Sequence, residues 1–339
     1  MSDHDFTRDE ILSQTEAWEQ ALQVTPLAVL PPASDFQQVV FTGCGSTYYL
    51  SLSAAALYQE LTGRPARAVP AGELLLNPQI VMPASGPRQL LVAISRSGTT
   101  TETVKAVEKF KASRVGQVIV ISNYDTALAH LADVAIIIPK GSEESVAQTR
   151  SFASMYVAAV ALCARMAGRP DLVNSMSALP EAGRRLLRNC GPVVQGIGAN
   201  LSFDRIYFLG SGIRHGLACE ANLKMKEMTL THSEPFHFLE FRHGPMSMAG
   251  PSAVVVGLLS EKNLAHELAV LNDVKGLGAS IITLAESDAD IAFQSGIPES
   301  VRGVLYLPAL QLMALHRSVA KGLNPDRPQN LTAVVHLDL

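Results

Sequence analysis

Val39-Val40-Phe41-Thr42-Gly43-Cys44-Gly45 is an apolar, β-branched run that closes on Gly-x-Gly. Ile206-Tyr207-Phe208-Leu209-Gly210-Ser211-Gly212 repeats the pattern in the other half of the chain. Leu90–Ser95 has a counterpart in Val254–Ser260, and Val118–Ser122 has one in Ile281–Ala285. Val134–Pro139 is matched with Val304–Pro308. Four short apolar runs recur in the same order at an offset of about 165 residues, which marks an internal repeat. Between them, Tyr48–Leu61, Glu102–Phe110 and Leu217–Thr229 carry helical periodicity. Strand and helix in alternation predict parallel sheets covered on both faces, and continuous apolar strands fit that burial. The expected fold is α/β, with two similar three-layer domains in tandem.

Flanking pieces are placed around this frame. Phe6 to Gln23 reads as an amphipathic helix, with Thr7 as cap and Glu10 three residues on as its capping box. Phe152 to Gly168 reads as a helix closing the first domain. A boundary is expected near Arg188–Gly198, where Gly191, Pro192, Gly196 and Gly198 collect. The expected division is 1–35 for the N-terminal helix, 36–190 and 191–322 for the two domains, and 323–339 for a tail broken by Pro325 and Pro328.

Composition excludes several classes. The 339 residues carry 27 Lys and Arg against 31 Asp and Glu, a net charge of −4, so no nucleic-acid surface is indicated. Met155 to Ala164 is cut short by Arg165, too soon for a membrane span. The acidic N-terminus has no apolar leader core. Cys44, Cys163, Cys190 and Cys219 are scattered without CxxC spacing, so reduced thiols in a cytoplasmic protein are expected. The nine histidines form no i, i+4 ligand pair, so neither metal nor cofactor is implied.

Chemistry gathers after the second strand, in Ser95-Arg96-Ser97-Gly98-Thr99-Thr100-Thr101-Glu102-Thr103. Hydroxyls at the start of a helix meet unpaired backbone N–H groups and the positive end of the macrodipole, a setting that suits a phosphate monoester. The same residues also serve as an ordinary N-cap. The matching place in the second half, Ser260-Glu261-Lys262-Asn263, lacks the hydroxyl run, so the fold does not itself require it. A dinucleotide fold is disfavoured, because the third glycine is missing after Gly45 and Ser95 stands where an acidic residue would hold a ribose.

Six segments together carry a family resemblance: Thr42–Tyr48, Ser95–Thr100, Ser145–Phe152, Glu220–Glu227, Arg242–Pro245, and Lys321-Gly322 with Asp326–Leu331. The chain resembles the two-domain sugar isomerase (SIS) proteins, whose domains are flavodoxin-like αβα sandwiches. It is similar to the isomerase half of glutamine–fructose-6-phosphate aminotransferase, to amino-sugar-phosphate deaminases and to fructosamine-phosphate deglycases. The resemblance implies phosphate binding by Ser95, Ser97 and Thr100, with Ser46 and Thr47 near sugar and phosphate. It implies a sugar-lining loop at Val146 and Gln148. Glu227 matches the carboxylate that moves a proton between C1 and C2. His243 matches the ring-opening histidine lent across a homodimer, and Lys321 the lysine that attacks or polarises the ketose carbonyl.

Chemically, a carboxylate suits proton transfer between adjacent carbons, histidine titrates near neutrality, and a lysine amine forms Schiff bases. Each residue also has a plainer reading. Glu227 fits a solvated stripe paired with Lys224, His243 a helix cap, and Lys321 a cation at a helix C-terminus. Arg96 departs from the aminotransferase pattern and is read as a phosphate or carboxylate contact. Gln148 departs too, at a position that would meet a sugar substituent. No glutaminase half precedes the first sheet, so the expected reaction removes nitrogen: glucosamine 6-phosphate to fructose 6-phosphate and ammonia. Deglycation of a fructosamine 6-phosphate, simple isomerisation and non-catalytic sugar-phosphate binding are the other readings.

Overall fold

The computed structural model describes residues 5–82, 88–335 and 337. It divides into two compact units. One comprises Glu16–Glu143, Arg150–Ser177 and Thr332–Leu339, called here the grip unit. The other comprises Met1–Thr15, Glu144–Thr149 and Ala178–Leu331, called here the carboxylate unit.

The grip unit contains β1 Gln38–Gly43, β2 Ala66–Pro70, β3 Gln89–Ser95, β4 Gly116–Ser122 and β5 Val134–Ile137. All pairs are parallel, in the order β2-β1-β3-β4-β5. The carboxylate unit contains β6 Arg205–Leu209, β7 His232–Phe236, β8 Ala253–Leu258, β9 Ser280–Ala285 and β10 Ile291–Ala292. Its order, β10-β9-β8-β6-β7, is also parallel throughout. Counted from each unit's first strand, both sheets run 2-1-3-4-5, the flavodoxin-like order that places ligands at the carboxyl ends of the strands. Every residue of β3 and β8 is buried, as central parallel strands require.

The structure revises the strand inventory. Each sheet has a further edge strand, β2 and β7, which the apolar patterning did not signal. Both are only partly buried, and β7 carries Pro235, which edge strands accommodate. The expected strand Val304–Pro308 does not form. Gly303–Tyr306 is a 3-10 turn leading into helix Leu307–Ala320, and Ile291–Ala292 is the edge strand instead. Val304, Leu305, Tyr306 and Leu307 are all buried, so their run has no periodicity to separate strand from helix. Pro308 fits the first turn of that helix.

Two end signals also change meaning. Helix Phe6–Val24 is capped not by Thr7 and Glu10 but by Asp326 from the tail. Its carboxylate accepts from Phe6 N at 3.2 Å, Thr7 N at 2.8 Å and Thr7 Oγ1 at 2.7 Å. A carboxylate at the positive end of a helix is a stronger acceptor than a hydroxyl. The glycines gathered at 191–198 lie in helix Gly191–Gly198. A Cβ on Gly198 would sit 2.5 Å from the carbonyl oxygen of Met313, so this glycine permits close approach of helix Leu307–Ala320.

Candidate active site

In the grip unit the turn after β1 is closed by Thr47, whose Oγ1 donates to Cys44 O and accepts from Cys44 N, both at 2.9 Å. A Cβ on Gly43 would lie 2.5 Å from that hydroxyl, and Gly45 has φ +54. Ser46 and Thr47 are buried at the start of helix Ser46–Thr62. After β3, Ser95 Oγ accepts from Gly98 N at 3.1 Å, and Ser97 Oγ accepts from Thr99 N at 3.2 Å. Thr100 stands at the N-cap of helix Thr101–Ser113, but its hydroxyl makes no capping bond. The plain capping reading of this cluster therefore fails at the residue that should carry it.

Arg96 is buried and turned to the protein's own groups. Nη1 lies 3.5 Å from Glu143 Oε2, and Nη2 donates to Ala333 O at 2.8 Å. Glu143 in turn accepts from Ser151 N at 3.0 Å. The tail continues past the same helix start: Thr101 N donates to Val335 O at 3.4 Å, and Thr101 Oγ1 accepts from Leu337 N at 3.0 Å.

The loop bearing Val146 and Gln148 belongs to the carboxylate unit. Glu10 Oε1 accepts from Glu144 N at 2.6 Å and Ser145 N at 3.3 Å. Val146 N donates to Asp326 O at 3.0 Å, and Gln311 Nε2 donates to Thr149 O at 3.0 Å. This frame leaves Gln148 Oε1 buried and accepting no hydrogen bond. A buried acceptor without a donor costs about 1–3 kcal/mol, so it suits a ligand that brings a donor.

Helix Arg214–Thr229 sets Glu220, Lys224 and Glu227 on one face. Lys224 Nζ lies 3.4 Å from Glu220 Oε1 and contacts Glu227 Oε2. Glu220 and Lys224 are almost fully buried, whereas the Glu227 side chain keeps 19% of its surface. Glu227 is thus the member of the triad that can meet a substrate. Lys321 reaches the end of the same helix, donating from Nζ to Thr229 O at 2.8 Å. Burial, and then the neighbouring Arg317 guanidinium, holds its amine below the usual lysine range. The fold therefore brings Glu227 and Lys321 to one helix terminus.

His243 is not part of that group. It is exposed beyond helix Phe238–Phe241, its N–H donates to Glu240 O at 2.9 Å, and Gly244 turns the chain with φ 119. Among the described residues its ring has no hydrogen-bond partner. Sequence reasoning assigned no role to Asp326 or Glu143 and gave Glu10 the wrong partner. Asp326 lay in a quoted motif and Glu10 in the expected capping box; Glu143 is an isolated carboxylate, and the partners of Asp326 and Glu10 come from distant positions.

Two tandem parallel sheets of 2-1-3-4-5 order, with a hydroxyl-rich turn after the third strand of one, define an α/β protein of the SIS type. The chain belongs to the SIS domain family, whose pattern matches residues 34–165 and 202–299. It is 27% identical over 323 residues to the glutamine–fructose-6-phosphate aminotransferase of Methanothermobacter thermautotrophicus, covering 92% of this chain and 54% of that protein. The corresponding protein of Pyrococcus horikoshii is 29% identical over 318 residues, with 89% and 52% covered. The chain spans about half the length of the curated relatives it matches. Among solved structures, glucosamine-6-phosphate deaminase from Thermotoga maritima superposes with a TM-score of 0.86 at 26% identity, covering 98% of this chain and 99% of that one. Among the described residues, no helix is long and apolar enough to cross a membrane.

Proposed function

We propose that the protein is a phosphosugar enzyme that converts glucosamine 6-phosphate and water to fructose 6-phosphate and ammonia. The observation that carries this reading is helix Arg214–Thr229, which holds the partly exposed Glu227 carboxylate and takes the Lys321 amine, of lowered basicity, on the carbonyl of Thr229. The end-to-end likeness to a structure described as a glucosamine-6-phosphate deaminase supports the choice of reaction.

In this reading Ser95, Ser97 and Thr100 take the phosphate, with Ser46 and Thr47 near sugar and phosphate. Thr47 acts by fixing the turn, and Arg96 by tying the phosphate loop to Glu143 and the tail. Val146 and Gln148 line the sugar, with Gln148 Oε1 accepting from a hydroxyl or from the 2-ammonium. His243 opens the ring, acting in the site of the second subunit of a homodimer. Glu227 removes the C2 proton of the open-chain amino-aldehyde and delivers a proton to C1, giving a C2 imine and a C1 hydroxyl. Water adds to the imine, and ammonia leaves. Lys321 stabilises the electron-rich C1–C2 enolic intermediate, or engages the C2 carbonyl once formed.

Deglycation of an amino-acid adduct would need a cation for the adduct's carboxylate. Arg96 is already engaged by Glu143 and Ala333, which favours the deaminase reading. The test is incubation of pure protein with glucosamine 6-phosphate, reading ammonia and fructose 6-phosphate together. Both products should appear in equal amounts and fall to background in Glu227→Gln. Absence of ammonia release above that variant overturns the proposal.

A further inference from the structure

The repeat extends to the atoms of two turns. Ser95 Oγ accepts from Gly98 N at 3.1 Å, and Ser260 Oγ accepts from Asn263 N at 2.9 Å, each bond reaching three residues on. After the first strands, a Cβ on Gly43 would lie 2.8 Å from the carbonyl carbon of Thr47, and one on Gly210 would lie 2.9 Å from that of Arg214. Thr47 and Arg214 therefore hold equivalent places. In each unit a glutamate follows the turn serine by seven residues: Glu102 after Ser95, and Glu267 after Ser260.

The two glutamates are used differently. Glu102 Oε2 is buried but accepts no hydrogen bond, so the Ser95 turn is not filled by its own side chain. Glu267 is 2% exposed and folds onto its turn. Its Oε2 accepts from Ser260 N at 2.6 Å, and its Oε1 accepts from Ser260 Oγ at 3.0 Å. Burial raises the Glu267 pKa overall, against the lowering by the Ser260 donors and by Arg214, which is itself buried and paired with Glu299 at 2.6 Å. A backbone N–H, a serine hydroxyl and a nearby guanidinium at the carboxyl end of a central strand are the donors an oxyanion takes. Here a carboxylate of the protein receives two of them.

We propose that the carboxylate unit contains a second oxyanion cradle, built on Ser260 and Arg214, that Glu267 permanently occupies. The native chain then presents one phosphate site, although its fold provides two, and removing the Glu267 carboxylate opens the second to inorganic phosphate. The count of one native phosphate site rests on the proposed function; the cradle itself is read from Ser260, Glu267 and Arg214, and its test reads phosphate binding rather than turnover.

Thermal melting of Glu267→Ala and Glu267→Ser, with and without tens of millimolar inorganic phosphate at constant ionic strength, tests it. The native protein reports any effect of phosphate on the other unit. Both variants should melt below the native protein, and phosphate should raise their midpoints by several degrees more than the native midpoint, since a ligand bound only to the folded state stabilises it. Adding Ser260→Ala should abolish that excess. Equal phosphate shifts in variant and native protein would show Glu267 to be an ordinary buried strut and would overturn the proposal. So would an excess that survives Ser260→Ala, or variants that stay insoluble even in phosphate.

Discussion

Lys321 Nζ donates to the carbonyl oxygen of Thr229 at 2.8 Å, at the C-terminus of the helix that carries Glu227. An amine there is favoured as a cation by the helix dipole. Burial and Arg317 act the other way and prevail, lowering its pKa. Neutral, nucleophilic amine is therefore available at lower pH than for an ordinary lysine, whose value is 10.5. Competitive labelling of all lysines with acetic anhydride, read by mass spectrometry, should place the Lys321 midpoint below 10.5. Arg317→Met should bring it lower in charge repulsion and move the midpoint upward. A midpoint at or above the ordinary value would contradict the assignment.

Glu10 is a positioning residue for the Val146–Gln148 loop. Its carboxylate receives Glu144 N and Ser145 N, and it also contacts the Ser145 hydroxyl. Glu10→Ala leaves these donors without their acceptor, which costs about 1–3 kcal/mol for each buried group left unpaired. The loop lines the sugar in the proposed function. Steady-state kinetics with glucosamine 6-phosphate should show KM raised several-fold with a smaller change in kcat. Loss confined to kcat would place Glu10 elsewhere in the mechanism.

The sequence made the sheets legible because central parallel strands such as β3 and β8 are buried throughout, which makes Leu90–Ile94 and Ala253–Leu258 continuous apolar runs. The hydroxyl-rich turn after β3 stands out in the sequence because the matching turn at Ser260 lacks the run, although Ser95 and Ser97 also accept from Gly98 N and Thr99 N within it. Edge strands β2 and β7 escaped notice because their burial is partial. Val304–Leu307 misled because full burial erases periodicity. Glu10 misled for a different reason: its spacing from Thr7 satisfies a local rule, but Asp326 and the Glu144–Ser145 amides offer better partners from far along the chain. Local patterns record neighbours, whereas these carboxylates are placed by tertiary contacts.

His215 and His237 stack with ring centroids 3.7 Å apart. Burial, and then His237, pushes the His215 pKa down from 6.5 to about 4. Burial lowers that of His237 as well. A folded-state pKa below the unfolded value means that the neutral ring contributes stability above pH 6.5. That contribution is lost as pH falls toward about 4, where the folded ring must also accept a proton. Urea unfolding of native protein and His215→Phe should therefore converge or cross as pH drops through this window. Parallel stability curves from neutral pH to pH 4 would rule out the linkage.

His243 lies exposed, away from the Glu227–Lys321 helix end in hydrogen bonding, and its ring has no partner among the described residues. If it completes the site of a second subunit, each site of a homodimer draws Glu227 from one chain and His243 from the other. Glu227→Gln and His243→Asn are then each inactive alone, but their mixture is not. In a heterodimer, one site collects both substitutions and the other collects neither. Random reassortment makes half the dimers mixed, each with one intact site, so activity should return to about a quarter of native. If His243 served its own chain, every site in the mixture would keep one defect and activity would stay at background. Unfolding and refolding the two variants together, then assaying ammonia release, separates these outcomes, and light scattering on the same sample should report a dimer.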